Sequence, residues 1–564
     1  MLQSSSSGSD ITFVRASWRD VLLFFVALLL LLPSIWSETS ITGKDEFWLS
    51  FRTPMEMLER GSWWTPWLDG EPRLKKPPLL YWLIASSYES LGVRPFSARI
   101  WGILCGAGLS VVTARTARLF GLGSGTLAGL LVVGSLGIAV EARRALLDVP
   151  VAFFTSFAIY QGYVWGKTQR LAHLVASAVL LALASLTKGP VCWIFFAAAA
   201  IAALVVHGRI REVFARPGHL FVFVLVYLAL ALPWPLSMNS LWPEQLKATL
   251  IEQAESRQFS WIHVRTLPAV VGGGLGLVAP WSIALVHGLV RACTQAGEKR
   301  IPRMLAITWI LAVLPFLFFK AFERYLMPLQ MIALLLVVWL LYELSPRARR
   351  RHLTIAAVLI ALPSVVLSGG ALWFGLAILP AIATIAMMVW MLVEASTRGR
   401  LLTSVQWIAM TANATLGLVY PSLGINALPQ DLPADLATRP VVLFDDAYPA
   451  MVSMRLRRSV RSVSPDGLVQ TLPTSGGYVF AKDDDRDRLE EVARNARVRL
   501  RRVRSFRSFY SRKVWLRFTK PGTTASEWWQ SLRQRSLDVL RPTFDLYEFG
   551  PAGEERGTNQ GTKR

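Results

Sequence analysis

The residues best suited to chemistry in this chain are ionisable side chains set at the edges of apolar runs. Asp45 and Glu46 form an adjacent acid pair just after the first such run, and DGEPRLKKPPLLYW, residues 69 to 82, places Lys75 and Lys76 directly before another. Further along, Asp148 follows Arg143 and Arg144 in EARRALLD, and Lys188 sits in TKGP. Glu252, Glu255 and Arg257 lie in IEQAESRQF, while Lys320, Glu323, Arg324 and Tyr325 lie in KAFERYLMP. Carboxylates can bind or deprotonate a hydroxyl, and lysine and arginine can hold and neutralise a phosphate. That pairing suits transfer of a group away from a lipid phosphate.

Each residue also has a plainer alternative. A lysine at headgroup depth snorkels to anionic lipid, and an acid pair after a span can cap a short helix. Asp148 can pair with Arg143 or Arg144 across one turn, Tyr325 can belong to an interfacial aromatic belt, and Arg257 can pair with Glu252. Their company argues for more, because ionisable residues gathered at span ends on one face more often line a polar cavity than face lipid.

The elements that must position them are membrane spans. Of 564 residues, 53% are hydrophobic and only 17% charged, with a mean hydropathy of +0.41, too apolar for an ordinary soluble chain of this length. The run VLLFFVALLLLLPSIW follows Arg15 and Arg19 but lacks a small-residue cleavage pattern, so it reads as a retained first helix rather than a signal peptide. The net charge of +23 would suggest nucleic acid in a soluble protein; here topology accounts for much of it. Cys105, Cys192 and Cys293 are far apart and lack metal-ligand spacing, and read as packing residues.

Runs of about 17 to 25 apolar residues fall near 20–36, 97–120, 124–142, 146–166, 171–187, 189–207, 218–238, 268–292, 303–320, 324–344, 351–369, 370–395 and 401–421. About thirteen spans are expected. With the N-terminus inside, every second loop is basic, from Arg115 and Arg118 to the RARRR of 347–351, as the positive-inside rule asks. The outer face then receives the loop 37–96, the turns at 141–148 and 187–190, the loop 239–267, KAFERY and the C-terminal region. All the residues singled out above fall on that face. In the first outer loop, EMLERGSWWTPWLDG is amphipathic and Trp-rich, suited to lying in the interface. Pro77 and Pro78 then fix an extended approach to the next helix.

From about 423 the pattern changes. RPVVLFDD, GGYVFA and VWLRF are strand-like, and RDRLEEVARNARVRL reads as an amphipathic helix, so a small α/β domain over 423–548 is expected. Its arginines are either a basic face toward anionic headgroups or simply solvated. The polar stretch 549–564 reads as disordered, and 1–19 as a cytoplasmic N-terminus ahead of a transmembrane domain over 20–422.

In order along the chain, the DE after the first span, GSWWTPWLDGEPRLKKPPLLYWL, LLDVP, LTKGP, EQAESRQF, the PW at 280–281 and RYLMP resemble the bacterial lipid-linked sugar transferases related to protein O-mannosyltransferases, best known through the lipid A aminoarabinose transferase branch. The similarity covers roughly residues 15 to 345. It implies an all-α polytopic membrane protein of the GT-C type with a small extracytoplasmic α/β domain, in a bacterial inner membrane. It further implies a glycosyltransferase taking sugar from a polyprenyl phosphate to a lipid A, glycan or protein acceptor on the outer face. On matching positions, Asp45 becomes the acid that engages the acceptor or acts as base, with Glu46 its neighbour. Lys76, Arg257 and Tyr325 would hold the donor phosphate, Asp148 is a second acid of the motif, and Lys188 and Arg324 are further candidates. The chain also departs from the family: Lys75 stands where a Glu is common, Trp48 and Leu49 where Arg and Tyr often follow the acids, and EQAESRQF replaces a His-bearing motif. A carboxylate-and-histidine metal site is therefore not expected; no cofactor is assigned, and the use of a divalent metal is left open.

The rival class is a lipid-linked sugar flippase or other transporter, which tends to place ionisable sites mid-membrane on broken helices, often with internal repeats. No repeat is visible and the charges lie at span ends. A polysaccharide ligase would share the donor chemistry but not the KPP segment. No Gly-rich phosphate loop opens a helix, so no nucleotide or nucleic-acid site is implied.

Overall fold

The computed structural model describes residues 17–43, 46–208, 215–255, 258, 261–294, 300–318, 321–445, 451–464, 468, 476–510 and 518–551. The first helix, α1 (Trp18–Leu31), opens on a capping box from Ser17 to Asp20, whose side-chain oxygens accept from orphan N–H donors at its N-terminus. In the first outer loop, a π-turn (Glu46–Phe51) runs into α2 (Arg52–Glu59) and a two-residue hairpin, β1 (Trp67–Leu68) and β2 (Glu71–Pro72). Asp69 and Gly70 at its tip both have positive φ, the conformation such tight turns require. After Pro77 and Pro78 come α3 (Leu79–Leu91) and α4 (Pro95–Leu119), the latter with Pro at its first position, where a missing N–H costs nothing.

The chain continues through α5 (Gly125–Val133), α6 (Leu136–Glu141), α7 (Asp148–Thr168), α8 (Leu171–Lys188), α9 (Cys192–His207), α10 (Pro217–Ala231), α11 (Pro233–Leu241) and α12 (Pro243–Glu255). Next are α13 (Trp261–Val278), α14 (Ser282–Thr294), α15 (Arg300–Val313), a 3-10 segment (Glu323–Leu329), α16 (Gln330–Glu343), α17 (Pro346–Trp373), α18 (Ile378–Val393) and α19 (Leu401–Ala414). Helical residues lie on all thirteen apolar runs. Among the described residues, six helices are long and apolar enough to cross a membrane by themselves: Pro95–Leu119, Leu171–Lys188, Pro217–Leu241, Glu323–Glu343, Pro346–Trp373 and Ile378–Arg398. Pro268–Val278 and Ser282–Thr294 together form a pair bent by 106°, and the other runs carry shorter or interrupted helices. The break expected at 369 falls instead after Trp373, since α17 runs on through Gly369 and Gly370.

The bundle is built around α16, whose residues from Gln330 to Leu341 are all buried, and α4, which packs on α1, α5 and α7. Outward faces are apolar: Phe221, Val366 and Leu379 are 68%, 71% and 78% exposed. Water would penalise such surfaces, and a bilayer solvates them. This is a helical membrane protein.

The C-terminal unit is a five-stranded sheet of order β4-β3-β5-β7-β6, with β3 Val441–Phe444, β4 Arg461–Val463, β5 Gly477–Lys482, β6 Val498–Arg507 and β7 Thr543–Pro551. β3 pairs parallel with β4 and β5, while β7 is antiparallel to β5 and β6. RDRLEEVARNARVRL is helical only over its first two thirds, a correction to the reading above: α20 (Arg486–Asn495) stops before Arg497, which has positive φ, and VRLRRVRSFR forms the edge strand β6. The alternation Val-Arg-Leu-Arg has the period of a strand, not a helix. Of the strand-like VWLRF, only Phe518 lies within the described residues. One face of the sheet, with Leu443, Tyr478, Phe480, Phe544 and Leu546, shares a core with Phe51, Met55, Leu80, Ile84 and Tyr88 of the first outer loop. The other face, with Val442, Phe444, Val479 and Phe549, packs on Leu489 of α20. The unit thus rests on the loop that carries Lys76, and Arg455 bonds Glu38 at 2.7 Å across the junction.

Candidate active site

Lys76 is placed by its neighbours in sequence. Arg73 N–H donates to Pro66 O at 2.8 Å, the hairpin is held by Gly70 N–H to Glu56 Oε1 at 2.7 Å and by an ion pair between Arg52 and Asp69, and the two prolines set the angle into α3. Lys75 bonds Glu252 of α12 at 2.7 Å, and Gln253 Nε2 donates to the Lys75 carbonyl at 3.2 Å. The second outer loop is thereby docked on the KPP segment. The charge at position 75 and the acids of IEQAESRQF are complementary.

From the other side, Asp148 begins α7 and Lys188 ends α8; their side chains are 5% and 8% exposed and hydrogen-bonded to each other. The Lys188 ammonium also lies 4.3 Å from the centroid of the Tyr325 ring, a cation–π contact. Tyr325 and Arg324 are carried by the 3-10 segment, which approaches α13 so closely that a Cβ on Gly273 would collide with Glu323 Cβ. Glycine there is a packing requirement, and it sets the position of Arg324 and Tyr325.

These pieces meet in a cavity of about 70 Å³ lined by Lys76, Asp148, Lys188, Arg324 and Tyr325 together with Arg73 and Tyr81. Arg73 Nε donates to the Tyr81 hydroxyl at 3.2 Å. Among the described residues that line it, four are cations and one, Asp148, is a carboxylate already paired with Lys188, around a space two to three times the ~30 Å³ share of a water molecule. Such a space suits a phosphate. Arg73 and Tyr81 were missed from the sequence, although both stand in the stretch 69–82; the signal was their spacing of three before and five after Lys76, which the turn into α3 brings to one side.

Asp45 and Arg257 lie outside the described residues. Glu46 does not join the cavity: it is fully buried, accepting from Arg99 Nε at 2.8 Å and from the Ala145 N–H at 3.0 Å. Arg99 also donates to the carbonyls of Ile35 and Ser37. Glu46 therefore ties the start of the outer loop to α4 and to the turn before α7, a correction to its expected catalytic place. Asp148 does not bond Arg143 or Arg144 but Lys188; Arg144 takes Glu141 through both carboxylate oxygens at 2.8 and 2.9 Å, and Arg143 is buried against the Leu30 carbonyl at 2.8 Å. Among the described residues, no group of three or more His, Cys, Asp or Glu side chains is placed to hold a metal ion.

The structure is a spanning bundle whose loops build a cationic cavity under a docked α/β unit. The fold is that of ArnT from Cupriavidus metallidurans: its crystal structure bound to undecaprenyl phosphate matches with a TM-score of 0.68 at 19% identity, over 94% of this chain and 98% of that one. Its apo structure matches at 0.64 over 84% and 95%. Residues 75–236 match the family described as dolichyl-phosphate-mannose-protein mannosyltransferase. An undecaprenyl phosphate-α-4-amino-4-deoxy-L-arabinose arabinosyl transferase of Sodalis glossinidius is 25% identical over 54% of this chain and 54% of its own length, and one from Pseudomonas savastanoi is 26% identical over 45% and 50%. An uncharacterised protein of Aquifex aeolicus is 28% identical over 35% and 42%. The chain is thus similar to the lipid-linked sugar transferases related to protein O-mannosyltransferases, and in particular to their aminoarabinose transferase branch. It spans about half the length of the curated relatives it matches.

Proposed function

We propose that the protein is an integral-membrane glycosyltransferase that moves a sugar from a polyprenyl phosphate to a lipid A, glycan or protein acceptor on the outer face of the membrane. The observation that carries this reading is the cavity shared by Lys76, Arg73, Lys188 and Arg324, whose charge complements a lipid phosphate. The phosphate of the donor sits among these cations, with the Tyr325 and Tyr81 hydroxyls at its edge. An acceptor oxygen bonds to the anomeric carbon as the bond from that carbon to the phosphate oxygen breaks. The electron pair leaves with the phosphate, and the cations stabilise it more as charge develops than in the ground state.

Asp45 orients the acceptor or removes its proton, and with a phosphate acceptor it only positions. Arg257, two residues beyond the end of α12, joins the phosphate ligands. The membrane is crossed thirteen times with the N-terminus inside, so the cavity and the C-terminal unit both face the periplasm.

The test is transfer of labelled sugar from polyprenyl phosphate to an acceptor lipid extract by the purified protein. Lys76→Ala and Asp45→Asn are each expected to lower turnover about 10²- to 10³-fold with folding intact. Translocation of the donor without transfer, or full activity in both variants, would replace this reading with a transporter.

A further inference from the structure

A second cavity lies at the other end of α7. It occupies about 350 Å³ between α7, α8, α9, α10 and α15, with walls that include Ile159, Leu174, Phe196, Ala203, Phe223 and Met304. α10 packs along α8 while α9 packs on α15 and α7, and the groove runs between these pairs. Along α9 it extends from Phe196 to His207, about 16 Å at 1.5 Å per residue, or half of a ~30 Å hydrocarbon core. It therefore matches one leaflet. Its mouth is polar: Lys167, Gln169 and His207 line it, and a shallower hollow sharing Phe120, His207 and Ile301 adds Arg300 and one acid, Glu343, so that lysine and arginine outnumber carboxylates there. Lys167 is exposed and its ammonium donates to the Leu119 carbonyl at 2.5 Å, one of the three donors it carries. The Gln169 amide oxygen is buried without a hydrogen-bond partner among the described residues. A buried acceptor of this kind calls for a donor.

We infer that this groove binds an anionic phospholipid of the leaflet opposite the polar cavity, one acyl chain along the apolar walls and its phosphate at Lys167 and Arg300. A headgroup hydroxyl would serve the Gln169 oxygen. The charge at the mouth selects an anionic lipid over a zwitterionic one, and a volume within the ~300–1,000 Å³ of ordinary ligand sites suits a single chain. The site is distinct from the donor phosphate cavity, because α7 separates Asp148 from Gln169 by about 30 Å.

The full chain, purified in an uncharged detergent, is titrated with phosphatidylglycerol or phosphatidylcholine while thermal unfolding is followed and retained lipid is read by native mass spectrometry. A ligand of the native state raises the unfolding midpoint. Phosphatidylglycerol is expected to raise it by several degrees and to remain bound, and phosphatidylcholine to do neither. Gly166→Leu places a side chain where nothing lies within 4 Å of a Cβ and fills the groove, and Lys167→Gln removes the charge at its mouth. Each is expected to weaken phosphatidylglycerol binding at least tenfold while binding of polyprenyl phosphate is unchanged. Should Gly166→Leu fold poorly, Lys167→Gln carries the test alone. Equal protection by phosphatidylcholine, or undiminished phosphatidylglycerol retention in the variants, overturns the proposal. Weakened polyprenyl phosphate binding instead would make the groove the channel of the donor's tail and overturn it equally.

Discussion

Asp148 and Lys188 join α7 to α8 at the edge of the cationic cavity, and their side chains are only 5% and 8% exposed. Removing one partner of a buried pair leaves a desolvated charge and costs about 3–5 kcal/mol, whereas replacing both by uncharged groups of similar size is near neutral. In Asp148→Asn, the Lys188 ammonium retains the Tyr325 ring at 4.3 Å, a contact worth up to about 2 kcal/mol when desolvated. The expected loss is therefore at the lower end, about 3 kcal/mol. Asp148→Asn with Lys188→Met should lose no more than about 1 kcal/mol, so the second substitution recovers about 2 kcal/mol of the loss. Unfolding of the purified protein in detergent measures the stabilities, and sugar transfer is followed in parallel. Stability should return in the double variant while transfer stays down about 10²-fold, because Lys188 also lines the phosphate cavity. A loss below about 1 kcal/mol in Asp148→Asn would refute the buried pair, and full transfer in the double variant would refute the phosphate role of Lys188.

The Lys75–Glu252 pair is more than half exposed on both sides, so it contributes at most about 1 kcal/mol; Lys75→Glu should raise KM for the donor up to about fivefold, with Glu252→Lys restoring it, and no rescue would mean the loops are held otherwise. Gly273→Ala drives a Cβ into Glu323 at a cost of about 1–3 kcal/mol; turnover should fall with helix content unchanged, and full turnover would show that the 3-10 segment yields without moving Arg324 and Tyr325. In the C-terminal unit the Glu548 carboxyl is held below the usual range by its bond to Arg439 and then by Arg501. A depressed carboxylate stabilises the fold above its unfolded pKa of ~4.3 and loses that contribution as pH falls below it. Limited proteolysis of the unit should accelerate below that pH in the wild type and less so in Glu548→Gln, an identical profile refuting the link.

Much of the site was legible because its residues are in motifs of unusual composition. Lys76, Asp148, Lys188, Arg324 and Tyr325 were named from four separate segments and line one cavity. Glu46 was misjudged because its place beside Asp45 in the sequence says nothing of its partner: it is buried against Arg99. Arg73 and Tyr81 were passed over because only the hairpin and the proline pair together turn them to the side of Lys76. RDRLEEVARNARVRL illustrates a local limit, a helix and an edge strand read as one because both are arginine-rich.

The sequence by itself determined that this chain is a membrane bundle, where the apolar runs lie, and which segments carry cations and acids. Apolar length and charge at span ends are one-dimensional properties, and the bilayer reads them one helix at a time. Only the tertiary structure decided who meets whom: that Lys188 takes Asp148, that Lys75 takes Glu252, that Gly273 admits the segment bearing Tyr325, and that the sheet rests on the first outer loop. Those choices are made by packing between segments that can lie 400 or more residues apart, such as Glu59 and the Ser459 N–H. No local pattern encodes that proximity.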